Sequence, residues 1–290
     1  MVVVGVGEVL WDLLPGGKQF GGACANFTYH AQTLGADGWL VSRVGNDPFG
    51  REILDRLREM QLRADGVTVD PSAPTGTVSV ELSQDGQPRF TIREHVAWDH
   101  IVATDPARDA VARADAVCFG SLAQRSETSR TTIRSLVAST RPDALRIFDI
   151  NLRQHFFSQE IIESSLRLAN VLKINDEELP VLAKMFALRG DSKEQLAELA
   201  RRHDLRMVAL TRGARGSLLY AEGHHSDHPG SPAAVVDTVG AGDAFTATLT
   251  MGLLAGWPLD TINHRANEVA AYVVSQPGGT PKMPAHLHFM

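Results

Sequence analysis

The chain has 290 residues, of which 43% are hydrophobic and 21% charged, a composition typical of a globular protein with a large core. The formal net charge of −6, without a dense cluster of lysine and arginine, argues against nucleic acid or an acidic membrane as a partner. The cysteines Cys24 and Cys118 are too few for a disulfide framework, and the lack of a signal-like or bilayer-spanning run favours a cytoplasmic location.

The N-terminal run from Val2 to Leu10 is rich in β-branched residues and predicts a central strand. Its glycines at positions 5 and 7 do not begin a dinucleotide fingerprint, because position 10 is leucine and no glycine-opened helix follows. A P-loop is also excluded, since Gly17 and Lys18 lack the required spacing. We expect Asp12 at the carboxyl end of this strand, where open α/β sheets bind ligands.

A pair of glycines, Gly21 and Gly22, precedes an apolar helical segment. They allow the backbone to pass close to a ligand, and Asn26 offers both a donor and an acceptor to a sugar. A simple turn and an ordinary first-turn polar residue explain these positions equally well. The next predicted strand leads through Asn46 into a helix over residues 51–60.

Alternating apolar and polar residues on both sides of Asp85-Gly86 predict a hairpin. With another short strand, it is predicted to form a lid from about residues 16–20 and 76–93, inserted in one domain spanning residues 1–290. A sheet this small cannot bury both faces alone, so we expect a homodimer formed through the lids. Trp98, just past the hairpin, fits either stacking on a sugar or ordinary burial.

The rest of the chain alternates predicted strands and helices at the spacing of βαβ units, which favours an α/β fold with a mostly parallel sheet. Three predicted strands are followed by polar or glycine-rich segments, which contain Arg153, Asn175 with Glu178, and Thr211 with Gly213 and Gly216. Arg153 fits either a charge in a binding site or a structural ion pair. Asn175 is a good N-cap for the helix that follows, so its position alone is ambiguous.

The most informative stretch runs from Asp237 to Phe245 and enters an apolar helix. Gly240, Ala241 and Gly242 would leave backbone N–H groups open to an anion at the positive end of the helix dipole. Asp243, beside them, is placed to take a proton from an attacking hydroxyl. An anion hole with a base is the equipment for phosphoryl transfer to an alcohol. A glycine-rich cap of an ordinary core helix is the alternative, which the two aspartates six positions apart disfavour.

This stretch matches the signature D-T-x-G-A-G-D, and the chain thereby resembles the ribokinase-like, phosphofructokinase B-type carbohydrate kinases. Further matches are G-G-x-x-x-N from Gly21, V-G-x-D-x-x-G from Val44, D-x-N-x-R from Asp149 and N-x-x-E from Asn175. The resemblance implies an α/β three-layer sandwich with a central, mostly parallel sheet and a small β-sheet lid. It also implies an ATP-dependent sugar kinase that uses Mg²⁺, with K⁺ as a second expected cation.

The resemblance further implies a role for particular residues. Asp243 would be the base, and Gly240, Ala241, Gly242 and Arg153 would stabilise the transferring phosphate. The implied sugar contacts are Asp12, Gly22, Asn26 and Asn46, and the residue patterns described above add Gly21 and Trp98 as candidates. The implied nucleotide contacts are Asn175, Thr211, Gly213, Gly216 and Asn267. Glu178 would organise Mg²⁺ through water, and Asp237, Val239, Ser275 and Gly278 would surround a monovalent cation.

For the sugar, we expect free D-fructose. Asp12 accepts hydrogen bonds from hydroxyl groups and would repel a phosphate carried by the substrate. The basic residues near the lid that could bind such a phosphate are Lys18, Arg89 and Arg93. The stretches 7–12, 97–99, 120–124 and 148–153 also resemble bacterial fructokinases more than ribokinases or adenosine kinases. A kinase for ribose, 2-keto-3-deoxygluconate, a nucleoside or a sugar phosphate, a non-catalytic sensor and a nicotinamide oxidoreductase are the alternatives.

Overall fold

The computed structural model of the chain describes residues 1–82 and 88–288. The strands are β1 (Val2–Val6), β2 (Leu10–Leu14), β3 (Gly17–Gly21), β4 (Asp37–Gly45), β5 (Arg63–Asp70), β6 (Thr77–Leu82), β7 (Pro88–Ile92), β8 (Ala116–Phe119), β9 (Leu145–Asp149), β10 (Val171–Asn175), β11 (Met207–Thr211), β12 (Ser217–Ala221) and β13 (His224–His228). The α-helices are α1 (Ala23–Thr33), α2 (Pro48–Glu59), α3 (Asp105–Arg113), α4 (Glu127–Ala138), α5 (Gln159–Leu168), α6 (Glu178–Phe186), α7 (Ser192–His203), α8 (Ala241–Leu254) and α9 (Leu259–Val274).

A central sheet runs through the described residues in the order β13-β12-β11-β10-β9-β8-β1-β4-β5. Its strands pair in parallel from β11 to β5, and β12 and β13 add an antiparallel edge. The predicted mostly parallel α/β sheet is therefore confirmed. The polar edge strand β13 was not predicted, because its residues lack the apolar content typical of a strand.

Helices cover both faces of this sheet, as the alternation of side chains along a strand requires. In β1, the side chain of Val3 packs in the core shared with α1, α8 and α9. Val4 and Val6 point the other way, into the core shared with α3 to α7. The result is a three-layer sandwich in which the carboxyl ends of β1, β4, β8, β9, β10 and β11 meet at one edge.

A second, small sheet has the order β3-β2-β6-β7. The prediction of one central strand from Val2 to Leu10 is wrong, because β1 ends at Val6 and Leu10 begins β2 in the small sheet. An apolar run does not reveal which sheet receives it. Asp12 consequently lies within the small sheet, opposite Gln19 of β3, and not at the end of the first central strand.

The small sheet is anchored to the body by aromatic side chains. Trp11 and Phe20 are buried with α1, α2 and β4 in one apolar cluster, and their rings meet edge to face at 6.1 Å. The indole of Trp11 also donates to the carbonyl of Phe49 at 3.1 Å. The predicted turn at Asp85-Gly86 and the direction of the Arg89 side chain lie outside the described residues.

Trp98 is one predicted sugar contact that the structure contradicts. Its side chain has 0% exposure, and the guanidinium of Arg125 lies 3.9 Å from the ring centroid. A β-carbon on Gly76 would overlap the indole nitrogen. The alternative of an ordinary buried tryptophan is therefore correct, since no face of the ring is open to a ligand.

Within the described residues, no helix combines the length and apolar character needed to span a bilayer.

Candidate active site

The first turn of α8 lies at the centre of the site. Gly240 precedes this helix with φ of +77°, a left-handed conformation that glycine adopts without steric cost. A β-carbon at this position would also overlap the backbone of Gly279. The N–H groups of Ala241, Gly242 and Asp243 belong to a first helical turn, where intrahelical acceptors are missing. This helix end can therefore receive an anionic group.

Asp243 is partly buried at the third position of α8. Its carboxylate accepts a hydrogen bond from Nδ2 of Asn26 at 2.9 Å, between residues 217 positions apart. Burial and the negative charge of Asp149 raise the pKa of Asp243 to about 6, whereas the Asn26 bond and the cations Lys173 and Arg153 act to lower it. A carboxylate that ionises just below neutral pH is suited to accept a proton from an alcohol.

A buried ion pair lies behind the turn. Nζ of Lys173 is 3.1 Å from Asp149, and both side chains are less than a tenth exposed. The other Asp149 oxygen accepts the hydroxyl hydrogen of Thr246 at 2.8 Å, and a β-carbon on Gly242 would lie 3.2 Å from the Lys173 ammonium. A positive charge thus sits directly behind the helix turn that would receive an anion.

The sequence analysis did not identify Lys173 or Thr246. The usable signal was the charge itself, because a lysine inside an otherwise apolar parallel strand is almost never buried without a partner. The partner was not apparent because Asp149 is 24 positions away from Lys173 and 97 positions away from Thr246.

Arg153 supplies a cation on the open side of the site. It is exposed, and its Nη1 donates to the carbonyl of Leu152 at 3.0 Å. Its charge acts to lower the pKa of Glu8, Asp12 and Asp243. Among the described residues it is in no ion pair within 4.0 Å, so the structure does not support the alternative of a structural ion pair.

Asp12 lies over Gly21 of the neighbouring strand, where a β-carbon at 21 would overlap its carboxylate. Burial is the largest cause that raises the pKa of Asp12 to about 6, with a further contribution from the charge of Asp237. Gly22 has φ of +107°, and a β-carbon there would meet the backbone of Glu8 and Val9. The glycine pair therefore permits a close approach between chain segments, whereas the predicted close approach to a ligand stays a prediction.

Glu178 joins the ends of two central strands. Its oxygens accept the N–H groups of Leu152 and Asn175, each at 2.8 Å. Burial raises its pKa, and the charge of Lys173 opposes this rise. The amide oxygen of Asn175 in turn accepts the N–H groups of Glu177 and Glu178 at 2.9 and 2.8 Å. Asn175 thus pairs two backbone N–H groups at the start of α6, whose N-cap position is Glu177, and each Glu178 oxygen keeps a lone pair for another donor.

Asp237 organises the loop before α8. One of its oxygens accepts the N–H of Val239 at 3.0 Å, and the other accepts the N–H of Gly278 at 3.0 Å. The structure thus brings together three residues of the predicted cation site from two distant segments. Ser275 ends α9, where its hydroxyl donates to the carbonyl of Tyr272 at 2.7 Å.

The predicted nucleotide residues lie along the neighbouring strands. Thr211 ends β11 beside Asn175, its partner in the parallel register. Gly213 and Gly216 adopt φ of +57° and +76° in the turn to β12. Asn267 is buried in α9, where its Nδ2 donates to the hydroxyl of Ser217 at 2.7 Å, so its amide hydrogens are engaged within the protein.

Comparison with known proteins identifies the family. The family model described as pfkB family carbohydrate kinase matches residues 16–286. The chain belongs to this family. A curated fructokinase of Klebsiella pneumoniae is 31% identical over 91% of this chain and 88% of its own length.

Solved structures agree with this assignment. An uncharacterized sugar kinase of Pyrococcus horikoshii matches with a TM-score of 0.84 and 29% identity, covering 97% of this chain and 94% of its own. A fructokinase of Vibrio cholerae, solved with fructose, ADP and potassium ion, matches with a TM-score of 0.81 and 25% identity, covering 98% and 96%. The chain is accordingly a sugar kinase with a ribokinase-like fold.

Asn46 and Asn26, two of the predicted sugar contacts, differ in their exposure. Asn46 is exposed at the end of β4, and its N–H donates to the carbonyl of Asp70 at 2.9 Å. Asn26 is 3% exposed and uses its amide on Asp243. Within the described part of the chain, no three His, Cys, Asp or Glu side chains converge to hold a metal ion. A divalent cation would therefore depend on few carboxylates, with waters and phosphates completing its shell.

Proposed function

We propose that this kinase transfers the γ-phosphate of ATP to a hydroxyl of free D-fructose. The observation that carries the choice of an unphosphorylated sugar concerns Lys18. Its ammonium forms an ion pair with Glu52 and lies 4.8 and 4.7 Å from the ring centroids of Trp11 and Phe49. It is therefore engaged away from a substrate phosphate, and Asp12 would repel one. The fructokinase relatives support the same choice.

In the proposed reaction, the sugar lies between the small sheet, which acts as a lid, and the first turn of α8. Asp243 accepts the proton of the attacking hydroxyl. The N–H groups of the turn from Gly240 to Asp243 then receive the charge that develops on the transferring phosphoryl group. Arg153 and the Lys173 ammonium behind Gly242 add positive charge from opposite sides. Asp12 and Asn46 would orient the sugar, and Thr211, Gly213, Gly216 and Asn267 would position the nucleotide.

Two metal ions fit the residues present. Mg²⁺, which prefers oxygen ligands and retains several waters, would be held near Glu178 through water and would neutralise phosphate charge. K⁺ would be held by the loop that Asp237 fixes, with Val239, Ser275 and Gly278 around it. This placement agrees with the Asp237 hydrogen bonds described above.

The substrate proposal is tested with a panel that couples ADP release to a spectroscopic signal. The panel contains fructose, ribose, 2-keto-3-deoxygluconate, fructose 6-phosphate, fructose 1-phosphate and adenosine. We expect the highest kcat/KM with fructose, and we expect Asp243→Asn to lower kcat with fructose by roughly 10²–10⁴-fold. A higher kcat/KM for a phosphorylated sugar or a nucleoside would contradict the fructose assignment but leave the kinase chemistry in place.

A cytoplasmic location also stays a prediction.

We further propose a homodimer formed through the small sheet. Within the described residues, β3 and β7 are the edge strands of this sheet, and an edge strand offers backbone groups to a partner. A partner sheet would cover the face that the body leaves open. Sedimentation velocity at roughly tens of micromolar, a working range for modest interfaces, is expected to show a dimer. A monomer throughout that range would contradict the proposal.

A further inference from the structure

Glu8 is a buried acid that the proposed reaction does not use. It lies in the loop between β1 and β2 and is 2% exposed. Its Oε1 accepts the N–H of Ala23, the first residue of α1, at 3.2 Å. Its Oε2 is buried and has no hydrogen-bond partner among the described residues. A buried carboxyl oxygen without a donor is an unfavourable arrangement, which protonation of that oxygen would relieve.

Asn26, one helical turn further along α1, also has a buried acceptor without a hydrogen-bond donor. Its Nδ2 donates to Asp243, whereas its Oδ1 is buried and lacks a donor within the described part of the chain. Side chains on a helix lean back towards its N-terminus. By this rule the amide of Asn26 is directed towards the turn that begins at Ala23, whose N–H the carboxyl of Glu8 accepts. Two unpartnered acceptors thus lie at the same end of α1.

We propose that Glu8 carries a proton on Oε2 and donates it in a hydrogen bond to Oδ1 of Asn26. Glu8 is then a positioning residue, since this bond holds the Asn26 amide with its Nδ2 towards Asp243. An ionised Glu8 would instead compete for the same N–H group and favour a flipped amide. A flipped amide presents its oxygen to the Asp243 carboxylate. The inference rests on the proposed role of Asp243 as the base.

The surroundings of Glu8 favour the protonated form. Burial is the largest cause that raises the pKa of Glu8 to about 7, and the charge of Asp243 adds to it. Opposing contributions come from backbone N–H groups and from Arg153. The other ionisable neighbours, Cys24 and Cys118, have thiols whose pKa burial raises, so they remain neutral. The Asp149–Lys173 pair behind them carries no net charge.

Two substitutions distinguish the proposed hydrogen bond from a requirement for a side chain of this size at position 8. In Glu8→Gln, the amide oxygen can still accept from Ala23 while the NH₂ group donates to Asn26. In Glu8→Met, the length is similar but both bonds are lost. With the sugar that turns over fastest in the panel, we expect kcat of the glutamine variant within about threefold of wild type. We expect the methionine variant to lose roughly tenfold, the value of one hydrogen bond, with little change in KM for ATP.

The pH profile provides the decisive readout. In the wild type, kcat/KM is expected to fall as pH rises through the pKa of Glu8, and Glu8→Gln is expected to lack this alkaline fall. Equal damage from both substitutions, or none from either, would overturn the proposal.

Infrared spectroscopy gives a readout that does not depend on activity. The difference spectrum between Asp243→Asn and the Glu8→Gln/Asp243→Asn double variant should contain a protonated-carboxyl band near pH 6. Taking the difference removes the contribution of Asp12, whose pKa is also about 6. Absence of that band from the difference spectrum would also overturn the proposal. Full turnover by Asp243→Asn would instead remove the proposed base, and the infrared result would still report on Glu8.

Discussion

Replacing Asn26 by leucine is expected to shift the acid limb of the pH–rate profile to higher pH. The Nδ2 group of Asn26 donates to the Asp243 carboxylate at 2.9 Å, and this bond stabilises the ionised form. Without it, the ionised form is less stable, so the pKa of Asp243 rises above its value of about 6. Since the base must be ionised to accept a proton, activity then declines at a higher pH as the solution is acidified.

The size of the shift follows from the type of hydrogen bond. A bond from a neutral donor to a charged acceptor contributes about 1.5–3 kcal/mol, and one pKa unit corresponds to about 1.36 kcal/mol. Asp243 is only partly buried, so solvent replaces some of the lost stabilisation and the lower end applies. We therefore expect a rise of about one unit, which leaves roughly half of the base ionised at pH 7.

The assay is kcat/KM for the sugar over a pH range that spans both limbs. Asn170→Leu is the matched control, because Asn170 is also buried and makes two hydrogen bonds, to Ala144 and Arg146, at the opposite edge of the sheet. It should lower stability without moving the acid limb. An acid limb of Asn26→Leu that stays in place or moves to lower pH would refute the reasoning, whatever the loss in maximum rate.

Three further changes test the phosphate side. Asp243→Asn should leave ATP binding near wild type by calorimetry and lower kcat by roughly 10²–10⁴-fold, the usual contribution of a positioned base; turnover within a few-fold of wild type would exclude that role. Lys173→Met should lower the free energy of unfolding by about 3–5 kcal/mol, since it leaves Asp149 buried and unpaired. Urea titration should show that Lys173→Met/Asp149→Asn recovers part of this lost stability. No recovery of stability would contradict the ion-pair explanation. Gly240→Ala should lower kcat roughly 10²-fold, because the new β-carbon displaces the helix turn. Gly256→Ala is the control, since Gly256 has a similar φ of +67° but no atom within 4 Å of the new β-carbon. This control should cost only about 1 kcal/mol of stability.

Sequence patterns predicted the parts of the site that are local in the chain. The turn from Gly240 to Asp243 is encoded by consecutive residues, because small side chains and an adjoining apolar helix suffice to specify a helix N-terminus. The position of Asn175 and Thr211 was also predictable. Both end parallel strands, and such ends meet at one edge of the sheet.

Pairings between distant residues were not predictable in the same way. The bond from Asn26 to Asp243 depends on how α1 packs against α8, and no local pattern encodes that contact. The boundary at Leu10 was misplaced because apolar alternation specifies a strand without its partner. Trp98 was ambiguous, since a tryptophan beside a predicted lid has the same local sequence whether it is exposed or buried.

Helix α1 connects the N-terminal G-G-x-x-x-N motif to the D-T-x-G-A-G-D motif that precedes α8. Besides Asn26, it contributes His30, whose Nε2–H donates to the carbonyl of Gly279 at 2.9 Å, and Tyr29, whose hydroxyl donates to the carbonyl of Pro281 at 3.0 Å. Gly279 in turn packs against Gly240. The loop that shapes the helix turn is therefore held by side chains of α1, the helix that the N-terminal glycine motif begins. A change in the position of α1 would alter the base and the anion-binding turn together. The two motifs, separated by more than 200 positions, thus form one physical unit.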